Sequence, residues 1–268
     1  MSIEFVVEHG VGTLWLARPE KRNAFNGDML GEIERIITQA EQDDAVRVLI
    51  VAGQGKAFCA GADLGWMAAQ ALEGAEANHA SAVRMGGVFH KISNCRKPTI
   101  ARVHGAAMGG GVGIASACDF VVAAQSAFFA LSEVRLGLVP GVISPFVVRR
   151  VGPAKARSLF MLGGRVSGTD AAQIGLADAC VADAPEALDE VIASWTEQLL
   201  RGGPEALYAC KMLVDGVQYR DPADVLEFTA RAIGSRRASP EAQEGMMAFL
   251  QKRQAAWIPG AQEVSGEQ

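Results

Sequence analysis

The order of apolar and polar positions divides the chain into short strands and amphipathic helices. The segment IEFVVEHGVGTLWLA reads as two strands around a Gly-containing turn, an antiparallel hairpin. A polar loop, RPEKRNAFNGD, follows. Met29, Leu30, Ile33, Ile36, Ile37 and Ala40 then recur at helical spacing, with Asn26 placed to cap the helix start. VRVLIVAG is a continuous apolar run ending at Gly53, the mark of a fully buried strand. After the loop QGKAFCAGADLGWM, one long Ala-rich helical region is predicted over residues 68–94, ended by Pro98 before a strand in TIARV. A small-residue helix and the strand DFVVAA come next. Strands alternating with helices predict an α/β core.

The character changes after about residue 185. Almost everything to about residue 252 is helical in pattern, punctuated by Gly202–Gly203–Pro204, Asp221–Pro222 and Ser239–Pro240. Within it Ala187, Leu188, Val191, Ile192, Trp195, Leu199 and Leu200 form an amphipathic stripe. The final IPGAQEVSGEQ is expected to be disordered.

Composition narrows the functional classes. With 268 residues, half of them apolar, the chain can bury a sizeable core. A net charge of −5 leaves no basic footprint for nucleic acid. The doublets Arg149–Arg150 and Arg236–Arg237 are expected on solvated faces. No uninterrupted apolar run approaches the roughly 20 residues that cross a bilayer, and no secretory leader pattern is seen, so no membrane partner is expected. Five scattered cysteines without C-x-x-C are expected to be reduced thiols in a cytoplasmic protein.

Candidate chemistry concentrates in three segments. RVHGAAMGGGVGIASACD places Gly109, Gly110 and Gly111 where a strand meets a helix. Backbone without a Cβ admits a ligand closely, and a helix start carries unbonded amides and partial positive charge. The Gly110 N–H is one candidate donor to an oxygen that becomes negative during a reaction. The Ala62 N–H, from the loop KAFCAGADLGWM, is the other. Both loops can equally be ordinary tight connections. Glu133, in the mostly apolar SAFFALSEVRLGLVPG, is the candidate proton carrier if buried and a solvated surface charge if not. Asp63 reads as bonding its own loop, Asp119 as a strand-start residue, and His104 as structural. GVGIAS approaches a dinucleotide fingerprint, but Ser116 stands at the third small position. No phosphate loop, nucleophile elbow or metal-spaced histidine pair is present in the sequence.

Arg18–Pro19 with Asn23–Ala24, then AFCAGADL, HGAAMGGG, the ACD of residues 117–119 and SEVRLGLVPG, occur in an order that resembles the enoyl-CoA hydratase/isomerase (crotonase) superfamily over about residues 3–250. The resemblance implies a ββα spiral core, residues 1–200, and a helical C-terminal region, residues 201–268, that builds homotrimers commonly paired into hexamers. It implies an acyl-CoA thioester substrate whose enolate is held by the amides of Ala62 and Gly110. Coenzyme A is then part of the substrate, and no separate cofactor or metal is expected. Lys56, Ala57, Ala60, Asp63, Leu64 and Gly65 would line the CoA arm, with Arg22 near its phosphates. Glu133 would position water for addition to a 2-enoyl group.

Two departures from the family pattern stand out. Typical hydratases of the family carry two glutamates; the position of the first is Gly113 here. Where many relatives continue with a glycine-rich stretch after the proline, this chain has GVISPFVVRR. The variant is similar to bacterial 3-methylglutaconyl-CoA hydratases of leucine breakdown and to isohexenylglutaconyl-CoA hydratases. A single carboxylate also suits a double-bond isomerase, and a non-catalytic acyl-CoA-binding protein is the third alternative.

Overall fold

A computed structural model describes residues 2–259. The expected disordered end lies outside the described residues from residue 260 onward.

The hairpin forms as the alternation predicts: β1 (Ile3–Glu8) pairs antiparallel with β2 (Val11–Leu16). Helix α1 (Gly27–Gln42) is capped by Asn26, whose side chain accepts from the Met29 N–H at 3.1 Å. Its buried face is Met29, Leu30, Ile33, Ile36, Ile37 and Ala40, the six residues at helical spacing. Strand β3 (Val48–Gly53) enters the sheet parallel to β2.

The Ala-rich region differs from expectation. It starts earlier and is two helices, α2 (Leu64–Ala71) and α3 (Ala75–Ser93). Asp63 caps α2 by accepting from the N–H groups of Gly65 and Trp66, and Gly74, at φ +92°, breaks the run between the helices.

Next come β4 (Thr99–Val103), β5 (Ala106–Met108), α4 (Gly110–Ala117), β6 (Phe120–Ala124) and β7 (Phe128–Ala130). They are followed by α5 (Ser144–Leu162), β8 (Arg165–Ser167), α6 (Gly168–Gln173) and β9 (Ala179–Val181). One sheet runs β1-β2-β3-β4-β6-β9, and a smaller one runs β5-β7-β8. Strands β5, β7, β8 and β9 have three residues each, too few for a periodic signal, and pairing defines them. The C-terminal third is helical as the pattern requires: α7 (Pro185–Arg201), α8 (Pro204–Val217), α9 (Leu226–Arg237) and α10 (Pro240–Leu250). Of the predicted stripe on α7, Leu188 and Ile192 are buried, and Val191, Trp195, Leu199 and Leu200 pack against the core.

Helix α4 threads the centre of the molecule, with every residue from Gly111 to Ala117 buried. Small side chains are required there. A Cβ at Gly111 would lie 2.3 Å from the Cys59 carbonyl oxygen, and one at Gly110 would lie 2.3 Å from Cζ of Phe25. The far end of α4 corrects the reading of the first arginine doublet. The Arg150 guanidinium donates to the carbonyls of Ser116 (3.3 Å), Cys118 (2.7 Å) and Asp119 (3.1 Å) and pairs with Asp178 at 3.0 Å. Arg149 pairs with Asp215 and donates to Ser93 Oγ. Both are half-buried; Arg150 ties α5 to the C-terminal end of α4, where a cation complements the helix dipole, and Arg149 bonds residues of two other helices. Of the second doublet, Arg237 is exposed, but Arg236 is drawn in by Glu241 at 2.7 Å.

Candidate active site

Asn23 organises the first loop of the site. It is fully buried; its Nδ2 donates to the carbonyls of Gln54, Ala57 and Phe58, and its Oδ1 accepts from the Arg18 N–H. The chain then passes Phe25 in parallel register. The Phe25 N–H donates to Gly61 at 2.9 Å and the Asp63 N–H donates to Phe25 at 2.8 Å. Ala62 lies between these two bonds. Its own N–H meets no carbonyl among the described residues.

The second loop is the glycine run. The Gly109 N–H is spent on Ala130 at 2.8 Å, and Gly109 turns the chain at φ +49° into α4. Gly110 is the first residue of that helix, and its N–H is likewise unpaired among the described residues. The two loops touch. A Cβ on Gly61, at φ +91°, would sit 2.7 Å from the Met108 carbonyl oxygen and 3.5 Å from the Gly110 nitrogen. Only glycine permits this approach.

Glu133 begins a short 3-10 turn (Glu133–Leu136) and reaches back to the same corner. Its Oε1 lies 3.2 Å from where a Cβ on Gly109 would be, and its Oε2 is buried with no hydrogen-bond partner. Desolvation pushes its pKa above the ordinary carboxylate range, opposed by a bond to its own backbone amide.

Ala62, Gly110 and Glu133 share one cavity of about 640 Å³. Its remaining wall is mostly apolar, including Phe25, Met67, Met85 and Ile143. Amide donors, a carboxylate poised to exchange a proton and an apolar enclosure together suit acid–base chemistry next to a carbonyl.

Of the other residues assigned to the CoA arm, Ala60 and Leu64 line this cavity. Arg22, Lys56, Ala57, Asp63 and Gly65 do not. Arg22 has a left-handed backbone (φ +51°), and its carbonyl accepts from the Ala60 N–H at 2.9 Å. Ala57 is buried beneath Asn23. Lys56 lines a separate recess with His104 and Arg102. The Asp63 carboxylate is held below its usual pKa, chiefly by the Trp66 N–H, and lies 3.5 Å from Arg18. His104 bonds the Gly55 carbonyl at 2.8 Å, and Asp119 bonds Thr99 and Lys211, so both are structural. Among the described residues no group of three His, Cys, Asp or Glu side chains gathers as a metal site.

Arg135, Arg165 and Ile143 also line the cavity and carried no signal of their own. Arg135 stands inside the SEVRLG segment, two residues beyond Glu133. Arg165 arrives on β8 from a distant part of the chain, where no local pattern marks it.

Residues 7–259 match the family model described as enoyl-CoA hydratase/isomerase. A crotonyl-CoA hydratase of Syntrophomonas wolfei is 36% identical over 253 residues, covering 94% of this chain and 95% of that protein. Among solved structures, Pseudomonas aeruginosa AtuE superposes with a TM-score of 0.91 at 34% identity, over 96% of this chain and all of the other (100%). An enoyl-CoA hydratase from Shewanella pealeana gives 0.91 at 32% identity, over 96% of each chain. No helix of the described residues is long and apolar enough to cross a membrane. With its crotonase fold and this site, the chain belongs to the enoyl-CoA hydratase/isomerase family.

Proposed function

We propose that the protein hydrates the 2,3 double bond of an enoyl-CoA thioester, and that the preferred acyl group ends in a second carboxylate, as in 3-methylglutaconyl-CoA. The observation that carries the reaction is that two amides with no carbonyl partner among the described residues, those of Ala62 and Gly110, line the same cavity as the half-buried Glu133. The thioester oxygen accepts from both amides, which draws electron density from C3. The Glu133 carboxylate takes a proton from water as the hydroxide oxygen bonds to C3. The electron pair of the double bond becomes the enolate, whose oxygen the amides stabilise. Glu133, now protonated, returns its proton to C2 from the same face. Desolvation assists the first of these transfers, the uptake of the proton from water, since it favours the neutral acid.

Support for the distal carboxylate comes from charge. Arg135 and Arg165 line a largely apolar cavity, and among the described residues neither takes part in an ion pair. Arg165 is stacked 4.3 Å over the Phe128 ring. Assembly into trimers or hexamers fits the apolar side chains that α9 and α10 leave exposed, among them Leu226, Ile233, Phe249 and Leu250. The same reading takes the C-terminal helices as the assembly region and the cytoplasm as the compartment.

Glu133→Gln tests the mechanism. Turnover of 2-enoyl-CoA thioesters is expected to fall by about 10²–10⁴-fold while thioester binding, followed by calorimetry, persists. A variant keeping more than about a tenth of wild-type turnover would remove Glu133 from the chemistry. Having one carboxylate rather than two also favours a second reading, migration of a double bond from C3–C4 to C2–C3, with a proton carried from C2 to C4. Incubation with a 3-enoyl-CoA and a 2-enoyl-CoA, watching for 3-hydroxyacyl-CoA, separates the two.

A further inference from the structure

The two departures from the family pattern, Gly113 and the GVISPFV segment, meet in space. A Cβ built on Gly113 would lie 2.2 Å from Cγ2 of Ile143, 2.9 Å from its Cβ and 3.3 Å from the Phe89 ring. Ile143 is itself buried, precedes α5 and lines the reaction cavity. Its main chain is fixed by carbonyl bonds from Phe146 and Val147, both at 3.2 Å. The Ile143 side chain therefore fills the volume that any side chain at residue 113 would enter.

That volume adjoins the acid. Gly109 faces Glu133, and Gly113 bonds back to Gly109 at 3.1 Å, one helical turn further along the same face of α4. A carboxylate reaching out from residue 113 would stand beside Glu133, where a second acid could hold the attacking water. An aliphatic side chain stands there instead.

We infer that Gly113 and Ile143 are one reciprocal unit, and that Ile143 is a specificity-determining residue: by closing the place of a second acid it leaves Glu133 alone with the water. The inference rests on the hydratase reading. Substrates that bring their own carboxylate are then favoured, because a carboxylate two carbons beyond C3 can accept a hydrogen bond from the water as it adds. For substrates without one, Glu133 is the only carboxylate among the residues that line the cavity. An acid at residue 113 would make the substrate's carboxylate redundant and would repel it.

The test is a cycle of Gly113→Glu, Ile143→Gly and the double variant, each followed by thermal melting and by kcat/KM for crotonyl-CoA and glutaconyl-CoA. Gly113→Ala serves as a milder probe should Gly113→Glu fail to fold. With Ile143 present, either change at residue 113 is expected to lower the melting temperature by about 5 °C or more. In the Ile143→Gly background, the same change is expected to cost little. The double variant should raise the crotonyl-to-glutaconyl ratio of kcat/KM about tenfold or more over Ile143→Gly alone. Equal melting costs in the two backgrounds would overturn the steric interlock. An unchanged ratio would overturn the specificity role. If every variant isomerised 3-enoyl-CoA and hydrated nothing, the hydratase reading would fall and the specificity role with it, while the melting cycle would still judge the interlock.

Discussion

Replacing Asn23 by alanine removes the pin under the Ala62 loop without touching the cavity. The Nδ2 group is the hydrogen-bond partner of two buried carbonyls, Ala57 at 2.8 Å and Phe58 at 3.2 Å, and of the more exposed Gln54 carbonyl at 2.9 Å. No backbone N–H among the described residues bonds the Ala57 or Phe58 oxygen. Orphaning a buried polar group costs about 1–3 kcal/mol, so two of them lose about 3 kcal/mol even when water partly substitutes. Asn23 also sits at φ +57°, where alanine adds roughly 1 kcal/mol more. A total near 4 kcal/mol corresponds to a melting temperature lower by about 8–16 °C for a chain of this size. Calorimetric or circular-dichroism melts at fixed protein concentration measure it. Because the loop carries the Ala62 amide, kcat should fall about tenfold or more, in part of the range seen when an oxyanion donor is lost. Asn23→Asp keeps the acceptor and the shape but loses both donors, and should be nearly as damaging. An alanine variant melting within about 2 °C of wild type, with kcat unchanged, would refute the claim that this side chain holds the loop.

Two further outcomes follow from the same geometry. Gly110→Ala drives a Cβ to within 2.3 Å of the Phe25 ring, so the helix start must shift and carry its amide off target; steady-state kinetics should show kcat down about 10²–10³-fold, and a variant retaining a third of its turnover would contradict the role of that amide. Burial raises the pKa of Glu133, so the folded state binds its proton more readily than the unfolded state; the acid costs no stability below the ordinary carboxylate pKa and destabilises increasingly as pH rises through the raised value. Glu133→Gln should therefore melt higher than wild type at about pH 8, with the difference shrinking toward about pH 5, and a constant difference across that range would show that the carboxyl is not desolvated.

Local pattern sufficed wherever one element buries one face. The six apolar positions of α1 and its Asn26 cap, the β1–β2 hairpin and the stripe on α7 depend only on periodicity and capping chemistry, and they stand in the structure where the residues place them. The glycine run and the apolar flanks of Glu133 marked the reacting corner for a similar reason, since close backbone approach and desolvation leave traces in composition. Three-residue strands leave no such trace. Nor did the charge pattern show that Arg150 caps the carbonyls of α4, because its partners lie more than 25 residues away in sequence. The placement of Ala62 beside Gly110, and of Ile143 in the space in front of Gly113, was decided by packing alone. Segments far apart in the chain share one small volume there, and whether two atoms can occupy it is a property of three dimensions that no spacing of residues along a line contains.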